Sequence, residues 1–413
     1  MLEHYIRNRK RLAAMKRNYL ASCLVKTAER YHADGHHFTH SRLRLGYAFR
    51  FVEWLEAAHV PPGQITAKHV AKFLRRYVPK SPGRPQWKKK LAYSSVHSVL
   101  RHIWAEYPPV VMRTPSQAEA DRYADHLRCT CGLAEGTVGN QQRNLERFLA
   151  FCFRRRPVDP SAITVKCIHR YVDALPHGRA NCVRRHACTA LRGYLRFLQM
   201  QGVVIGNLLV AVPIVRVPRA AVSPRWLTSA DTKQLLRTAG HSKACGKRDY
   251  AATLCMIHLG LRVGDVARLS LDDFDWREGT VQVANHKPGR PYPMPLPRQL
   301  GKALADYLVK ERPTSQRREI FLRHRAPRGL PVTASALQGA LRYAWQRAGL
   351  AEKFSGTHIL RHSIATRMRQ KGVGLKSIAD VLGHQSVQTT TLYAQIDLPA
   401  LRAVAQPWPE VRS

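Results

Sequence analysis

One tyrosine follows a run of three threonines in LGHQSVQTTTLYAQID (residues 382–397), and Tyr393 there either packs against a neighbour or acts as a nucleophile. The answer depends on what other segments bring to it. In HLGLRVGDVARLSLDDFDW (258–276), Arg262 follows a Gly-Leu pair and Asp265 comes three residues later, on the same face of a predicted helix. In NHKPGR, Lys287 stands at a predicted hairpin tip. In GTHILRHSIATRM (356–368), His358 and Arg361 lie one turn apart, with His362 beside them on an apolar-interleaved helix. A helix that gathers partly buried cations needs a reason to do so. His384 follows Gly383, a candidate C-cap, and Ser386 is a candidate N-cap that would place Tyr393 near the second turn of the next helix. Taken singly, each piece has an ordinary reading: a surface ion pair, a solvated turn lysine, a packed ring. Together they supply arginine forks suited to anionic oxygens and imidazoles that exchange protons near neutral pH.

The order Arg…Lys…His-x-x-Arg…His…Tyr across residues 262–393 resembles the catalytic domain of the tyrosine recombinases, the phage-integrase family that includes the Xer proteins. The local signatures agree: GLR with an acid three residues later, H.LRHS.AT, LGH and TT..YA. The resemblance implies phosphoryl transfer on DNA. A phosphodiester under attack becomes a pentacoordinate, roughly dianionic species, so catalysis is mainly positioning and charge stabilisation. Arg262 and Arg361 would clamp its non-bridging oxygens, and His358 and His384 would add hydrogen bonds and proton handling. By the same resemblance Lys287 protonates the departing 5′ oxygen, Asp265 orients Arg262 or a histidine, and Tyr393 forms a 3′-phosphotyrosyl link. That link keeps the energy of the backbone bond, so no cofactor, metal or ATP is implied. In keeping with this, the sequence has no Walker-type glycine loop and no obvious carboxylate cluster for Mg²⁺. Two departures stand out. Asp265 occupies a place where many relatives have Glu, and Arg290 stands where a second lysine is common, so Arg290 or a shifted register is an alternative to Lys287.

The elements that must position these residues are mostly helical. Residues 136–156 place Leu145, Phe148, Leu149 and Phe151 on one predicted face. Residues 182–202 do the same with Leu191, Tyr194, Leu195 and Leu198 and end on Gly202, a plausible C-cap. An echo precedes them: RFVEWLEAAHVPPGQITAKHVAKFL (50–74) parallels RFLAFCFRRRPVDPSAITVKCIHRYV (147–172), with Trp54 opposite Phe151. VHSVLRHI (96–103) then parallels LRGYLRFL (191–198). The echo reads either as a tandem pair of helical domains or as two basic amphipathic bundles alike in composition. The prolines of VPIVRVPRAAVSPRW predict an extended linker, after which Thr228 or Ser229 caps a new helix. GTVQVANH (279–286) alternates like a strand, with PYPMPLP (291–297) as its partner; Pro291 and Pro293 confine that partner to an edge.

Composition sets the class of partner. The 413-residue chain carries 68 Lys+Arg against 27 Asp+Glu, a formal charge of +41, and only six acids precede residue 110. Self-repulsion of that size favours a polyanionic partner, nucleic acid ahead of an anionic membrane surface. The N-terminus lacks the apolar core of a secretory signal, and VVIGNLLVAVPIV (203–215) is too short to span a bilayer. The nine scattered cysteines, without a CxxC pair, read as free thiols in preference to a zinc site.

The predicted fold is mainly α with a small antiparallel sheet (α+β). The expected layout is an N-terminal helical domain over 1–110, possessing an extra DNA-binding or assembly role, and a helical domain over 115–205 resembling the family's core-binding domain. A linker over 206–225 and a catalytic domain over 226–413 complete it. The tail with Leu398, Leu401 and Val404 docks on a neighbouring protomer or on its own domain. The resemblance implies a site-specific recombinase or integrase of a mobile element, bound to double-stranded DNA as a tetrameric synapse, alone or with related recombinases. It also implies a place in the bacterial cytoplasm at the nucleoid. The alternatives are a type IB topoisomerase-like nicking-closing enzyme, which acts as a monomer, and a non-catalytic DNA-binding accessory protein. An RNA-binding protein would explain the charge but not the constellation.

Overall fold

The computed structural model describes residues 1–77, 86–109, 113–154, 156–176, 181–203, 207–215, 225–241, 244–283 and 292–383. The chain divides into two compact units. The first contains Met1–Pro62, Ala67–Tyr107 and Val222–Ser413; the second contains Gly63–Thr66 and Pro108–Ala221.

The first unit opens with α1 (Leu2–Tyr5), α2 (Arg9–Arg17), α3 (Ala21–Ala33), α4 (Phe38–Ala57), α5 (Ala67–Tyr77) and α6 (Gln86–Glu106). Asn8 starts α2 by accepting the Arg11 N–H at 2.9 Å. Buried Leu45, Phe49 and Val52 of α4 face α6, where Val96, Val99, Leu100 and Ile103 are buried in turn. The heptad-like spacing of these apolar residues makes each helix amphipathic, and burial of one face is what holds them together.

The second unit is built from α7 (Pro115–Cys129), α8 (Glu135–Phe153), α9 (Val165–Asp173) and α10 (Asn181–Met200). Thr114 and Gln117 close a capping box over α7, with Pro115 in its first turn. Leu145, Phe148 and Leu149 are buried with Leu191, Tyr194, Leu195 and Leu198, as the periodicity predicts. Phe151 departs from that face: it is 40 % exposed and leans on Tyr171 at 5.4 Å. Gly202 takes φ +69, the left-handed conformation that ends α10. Val212, expected in an extended linker, is buried in this core, and Arg192 donates to the carbonyls of Val212 and Pro213 at 3.1 and 2.9 Å. One correction concerns the thiols. Cys152 and Cys167, expected free, form a disulfide because the packing of α8 on α9 brings their Cα atoms to 6.5 Å. The other seven cysteines form no disulfide.

The two bundles repeat one order of elements. A 3₁₀ turn (Pro62–Gln64) joins α4 to α5, and another (Pro160–Ala162) joins α8 to α9. Phe51 meets Phe73 edge-on at 5.1 Å, and Phe148 meets Tyr171 edge-on at 5.2 Å. Just past α4, His59 takes φ +49, and just past α8, Arg154 takes φ +55.

The rest of the first unit begins with α11 (Ser229–Ala239), α12 (Gly246–His258), the single turn α13 (Val263–Val266) and a 3₁₀ turn (Leu271–Asp273). Strands β1 (Phe274–Asp275), β2 (Thr280–Val283) and β3 (Tyr292–Pro295) follow, then α14 (Arg298–Lys310), α15 (Ala334–Arg347), α16 (His358–Gln370) and α17 (Leu375–Leu382). Thr228 caps α11 through a capping box with Asp231. Residues 251–257 of α12 are buried on every side, which makes α12 the central helix; α14, α15, α16 and α11 pack around it. The sheet is antiparallel in the order β1-β2-β3, and Val283 pairs with Tyr292. Prolines 293 and 295 therefore lie on an edge strand, where missing N–H groups leave no ladder bond broken. Strand β1 was not legible in the sequence, being two residues long. Ile320, Phe321 and Leu322 are fully buried and tie to Leu269 and Pro331 by short bridges.

Candidate active site

Arg361 is the junction of the site. It lies in the first turn and a half of α16, is 7 % exposed, and donates from Nη1 to the Gly260 carbonyl at 2.8 Å and from Nη2 to the Leu382 carbonyl. Gly260 sits two residues before Arg262, and Leu382 sits two residues before His384. One guanidinium thus ties together the GLR loop, the His-x-x-Arg helix and the end of α17. A charged fork removed from water must have such partners, and carbonyls just past α12 and at the end of α17 supply them without neutralising the charge.

Gly260 makes this approach possible. It has φ +62, and a Cβ there would lie 2.7 Å from Leu382 Cδ2 and 3.0 Å from Ile364 Cγ2. Only glycine takes that backbone conformation at no cost while letting α16 and α17 close on the loop. On the far side of the junction, Gly383 has φ +59 and ends α17.

Arg262 occupies the N-cap of α13 with extended ψ of 147°, not an interior helical position as the spacing suggested. It is exposed and, among the described residues, its guanidinium has no partner. Asp265 accepts from Arg268 at 3.0 Å and is mostly shielded from solvent. His358 is the first residue of α16 and is exposed, so its ring stands at the positive end of that helix's dipole. His362, one turn on, is partly buried; its pKa is held below the ordinary 6.5 by burial, and further by the charges of His358 and Arg361. That coupling puts the three basic groups within electrostatic reach of one another.

Two supports were not singled out from sequence. Ser363 Oγ accepts the Leu227 N–H at 2.7 Å and donates to the Ile359 carbonyl at 2.7 Å, fixing the start of the region to α16. Arg367 donates to the Ile257 and Ser363 carbonyls at 3.4 and 3.3 Å, stitching α16 to the end of α12, and its burial lowers its pKa. Both belong to LRHSIATR, so the available signal was the presence of polar residues at helical spacing inside an apolar run. Elsewhere in the core, Arg248 donates twice to Asp249 Oδ1, at 2.9 and 2.7 Å, and to the Leu322 carbonyl at 3.2 Å. Burial raises the Asp249 pKa even so.

Lys287, His384 and Tyr393 lie outside the described residues, as do Arg290, Ser386, Leu398, Leu401 and Val404. The hairpin register bounds Lys287 between Val283 and Tyr292. Among the described residues no group of three or more His, Cys, Asp or Glu side chains is placed to hold a metal ion. No described helix is long and apolar enough to cross a membrane.

A mainly helical region with a small three-stranded antiparallel sheet, in which one buried arginine joins a GLR loop to a His-x-x-Arg helix, has the build of an integrase-type protein. The Phage integrase family profile matches residues 225–398. A Sinorhizobium fredii protein named as an integrase/recombinase, y4rA, is 34 % identical over 91 % of this chain and 91 % of its own length. The tyrosine recombinase XerC of Thermodesulfovibrio yellowstonii is 25 % identical over 70 % of this chain and 95 % of its own. Among solved structures, the XerH site-specific recombinase bound to a palindromic difH substrate is similar with a TM-score of 0.58 at 19 % identity, covering 82 % of this chain and 94 % of that one. The chain belongs to the tyrosine recombinase family, the phage integrases and their Xer relatives.

Proposed function

We propose that the protein is a site-specific DNA recombinase that cuts and rejoins duplex DNA through a 3′-phosphotyrosyl intermediate. Tyr393 Oη gives up its proton to solvent as it attacks the phosphorus, the bond from phosphorus to the 5′ oxygen breaks, and the departing oxygen takes a proton from Lys287, which solvent restores. Rejoining reverses these steps with a 5′ hydroxyl of the partner strand. Arg262 and Arg361 hold the non-bridging oxygens, His358 and His384 donate to them, and Asp265 positions its basic neighbours. Because the phosphotyrosyl link stores the backbone bond, the reaction needs neither metal nor ATP.

The observation that carries this reading is the Arg361 junction, where one buried guanidinium joins the segments that bear Arg262, His358 and His384. The similar XerH structure holds a DNA substrate, and a similar lambda integrase dimer (TM-score 0.53, 20 % identity) is bound to a core site. By this reading residues 115–205 grip the core duplex, residues 226–413 catalyse, and four protomers exchange strands on a mobile element in a bacterial cytoplasm.

The test uses nicked duplexes carrying candidate sites from DNA flanking the gene, which trap a covalent adduct on a denaturing gel. Wild type should form the adduct and Tyr393→Phe should not. An adduct that survives the substitution removes Tyr393 from the role. Binding by both proteins with no adduct on any site favours the accessory-protein reading.

A further inference from the structure

The two helical bundles share exposed charge as well as core. Interior positions recur because the fold needs them, but solvent-facing positions have no such need. With α4 laid on α8 and α5 on α9, Arg50 falls on Arg147, Lys68 on Lys166 and Lys72 on Arg170, and all six are exposed. In the first bundle three cations, Arg50, Lys72 and Arg76, border a cleft of about 440 Å³ that also contains Trp54, Tyr77 and a single carboxylate, Glu53. The aromatic pair is held in place from behind. Tyr77 stacks on fully buried Phe73 at 4.6 Å, and Trp54 leans on the same ring at 5.9 Å. Arg76 lies 6.0 Å from the Tyr77 ring centre. Cations interleaved with rigid ring faces are the chemistry that binds a phosphate joined to a sugar and base.

We propose that this cleft is a second DNA-binding site, in which Arg50, Lys72 and Arg76 take backbone phosphates while Trp54 and Tyr77 pack against a sugar or base of the same strand. It rests on the recombinase reading only for making DNA the polyanion. A free nucleotide offers the same chemistry, and the experiment separates the two sources.

The full-length chain is titrated onto fluorescent duplexes extending well beyond one core site, at several salt concentrations, beside the triple variant Arg50→Gln/Lys72→Gln/Arg76→Gln. Each phosphate contact contributes about 0.9 to the slope of log K against log salt, so the triple variant should be about 2.7 less steep. Its footprint should also be shorter, with an unchanged thermal midpoint because all three side chains are exposed. An unchanged slope and footprint overturns the proposal. Trp54→Phe reports the ring contact: duplex should quench tryptophan fluorescence less in this variant, and equal quenching overturns that part. ATP supplied in place of DNA is the second arm. Saturable, Trp54-dependent quenching by ATP that duplex does not displace assigns the cleft to a free nucleotide and overturns the DNA site. Adduct formation at Tyr393 on a short core duplex is scored separately. A slope change without any adduct upholds the cleft while the recombinase reading fails.

Discussion

At the scale of residues, the two candidate arginines differ in burial. Arg361 is buried and holds the loop after α12 and the end of α17, whereas Arg262 is exposed and has no partner among the described residues. Arg361→Lys should therefore lower both strand cleavage and folding stability, the latter by about 2–4 kcal/mol, because a lysine cannot donate to both carbonyls in one plane. Arg262→Lys should cut cleavage at least about a hundredfold while leaving stability within about 0.5 kcal/mol. Adduct yield and denaturant unfolding of the two variants provide the comparison, and a stable, inactive Arg361→Lys protein would contradict the junction role. Gly260→Ala tests the same joint from the backbone side. The added methyl meets Leu382 and Ile364 at a positive φ, so about 2–4 kcal/mol of stability should be lost together with cleavage. A variant with unchanged unfolding would show that the loop moves aside without penalty.

At the scale of elements, caps and edges decide where segments begin and stop. Thr228 receives the Asp231 N–H at 3.1 Å, and Asp231 returns a carboxylate to the Thr228 N–H while also meeting Lys353 at 3.0 Å. Thr228→Ala should cost about 1 kcal/mol in chemical unfolding, since two first-turn donors lose their acceptors or their geometry. No loss would mean that packing alone fixes α11. The edge position of β3 follows from its prolines, and the hairpin it makes with β2 carries Lys287 in the intervening segment. Helices α8 and α10 were readable from periodicity because their buried stripes recur every three or four residues. Phe151 broke the pattern because it sits at the border of that stripe, where a neighbouring ring covers part of it.

At the scale of the whole molecule, charge governs both partner and stability. With +41 to neutralise, binding to duplex DNA should weaken about 10³–10⁵-fold between 50 and 200 mM salt if about 6–10 phosphates are contacted. A flat salt dependence would rule out backbone contacts as the main source of affinity. The histidines set the pH response. Burial holds His36, His97, His102, His258, His324 and His362 below the ordinary 6.5. The unfolded chain then takes protons before the folded one, so stability is unaffected well above 6.5 and falls as pH drops through and below that value. Asp249, raised by burial, acts in the opposite sense but is one group against six. The thermal midpoint should be lower at pH 5.5 than at 7.5; a flat or rising midpoint would refute this account.

Sequence alone named the candidate site residues and their order along the chain, because a guanidinium, an imidazole or a phenol carries its chemistry wherever it stands. It also determined the helical class and the hairpin and narrowed the α11 cap to Thr228 or Ser229, since periodicity, prolines and capping side chains act within a few residues; the structure chose Thr228. Only the tertiary structure decided which arginine is buried. Arg262 and Arg361 look alike as residue types, yet one faces solvent and the other bridges carbonyls 101 and 21 positions away. The same holds for the Arg248–Asp249 pair inside the core, the disulfide between Cys152 and Cys167, and the residues after 207 that fold back onto α10. Each depends on contacts between segments far apart in the chain, and local patterns contain no information about which distant surfaces meet.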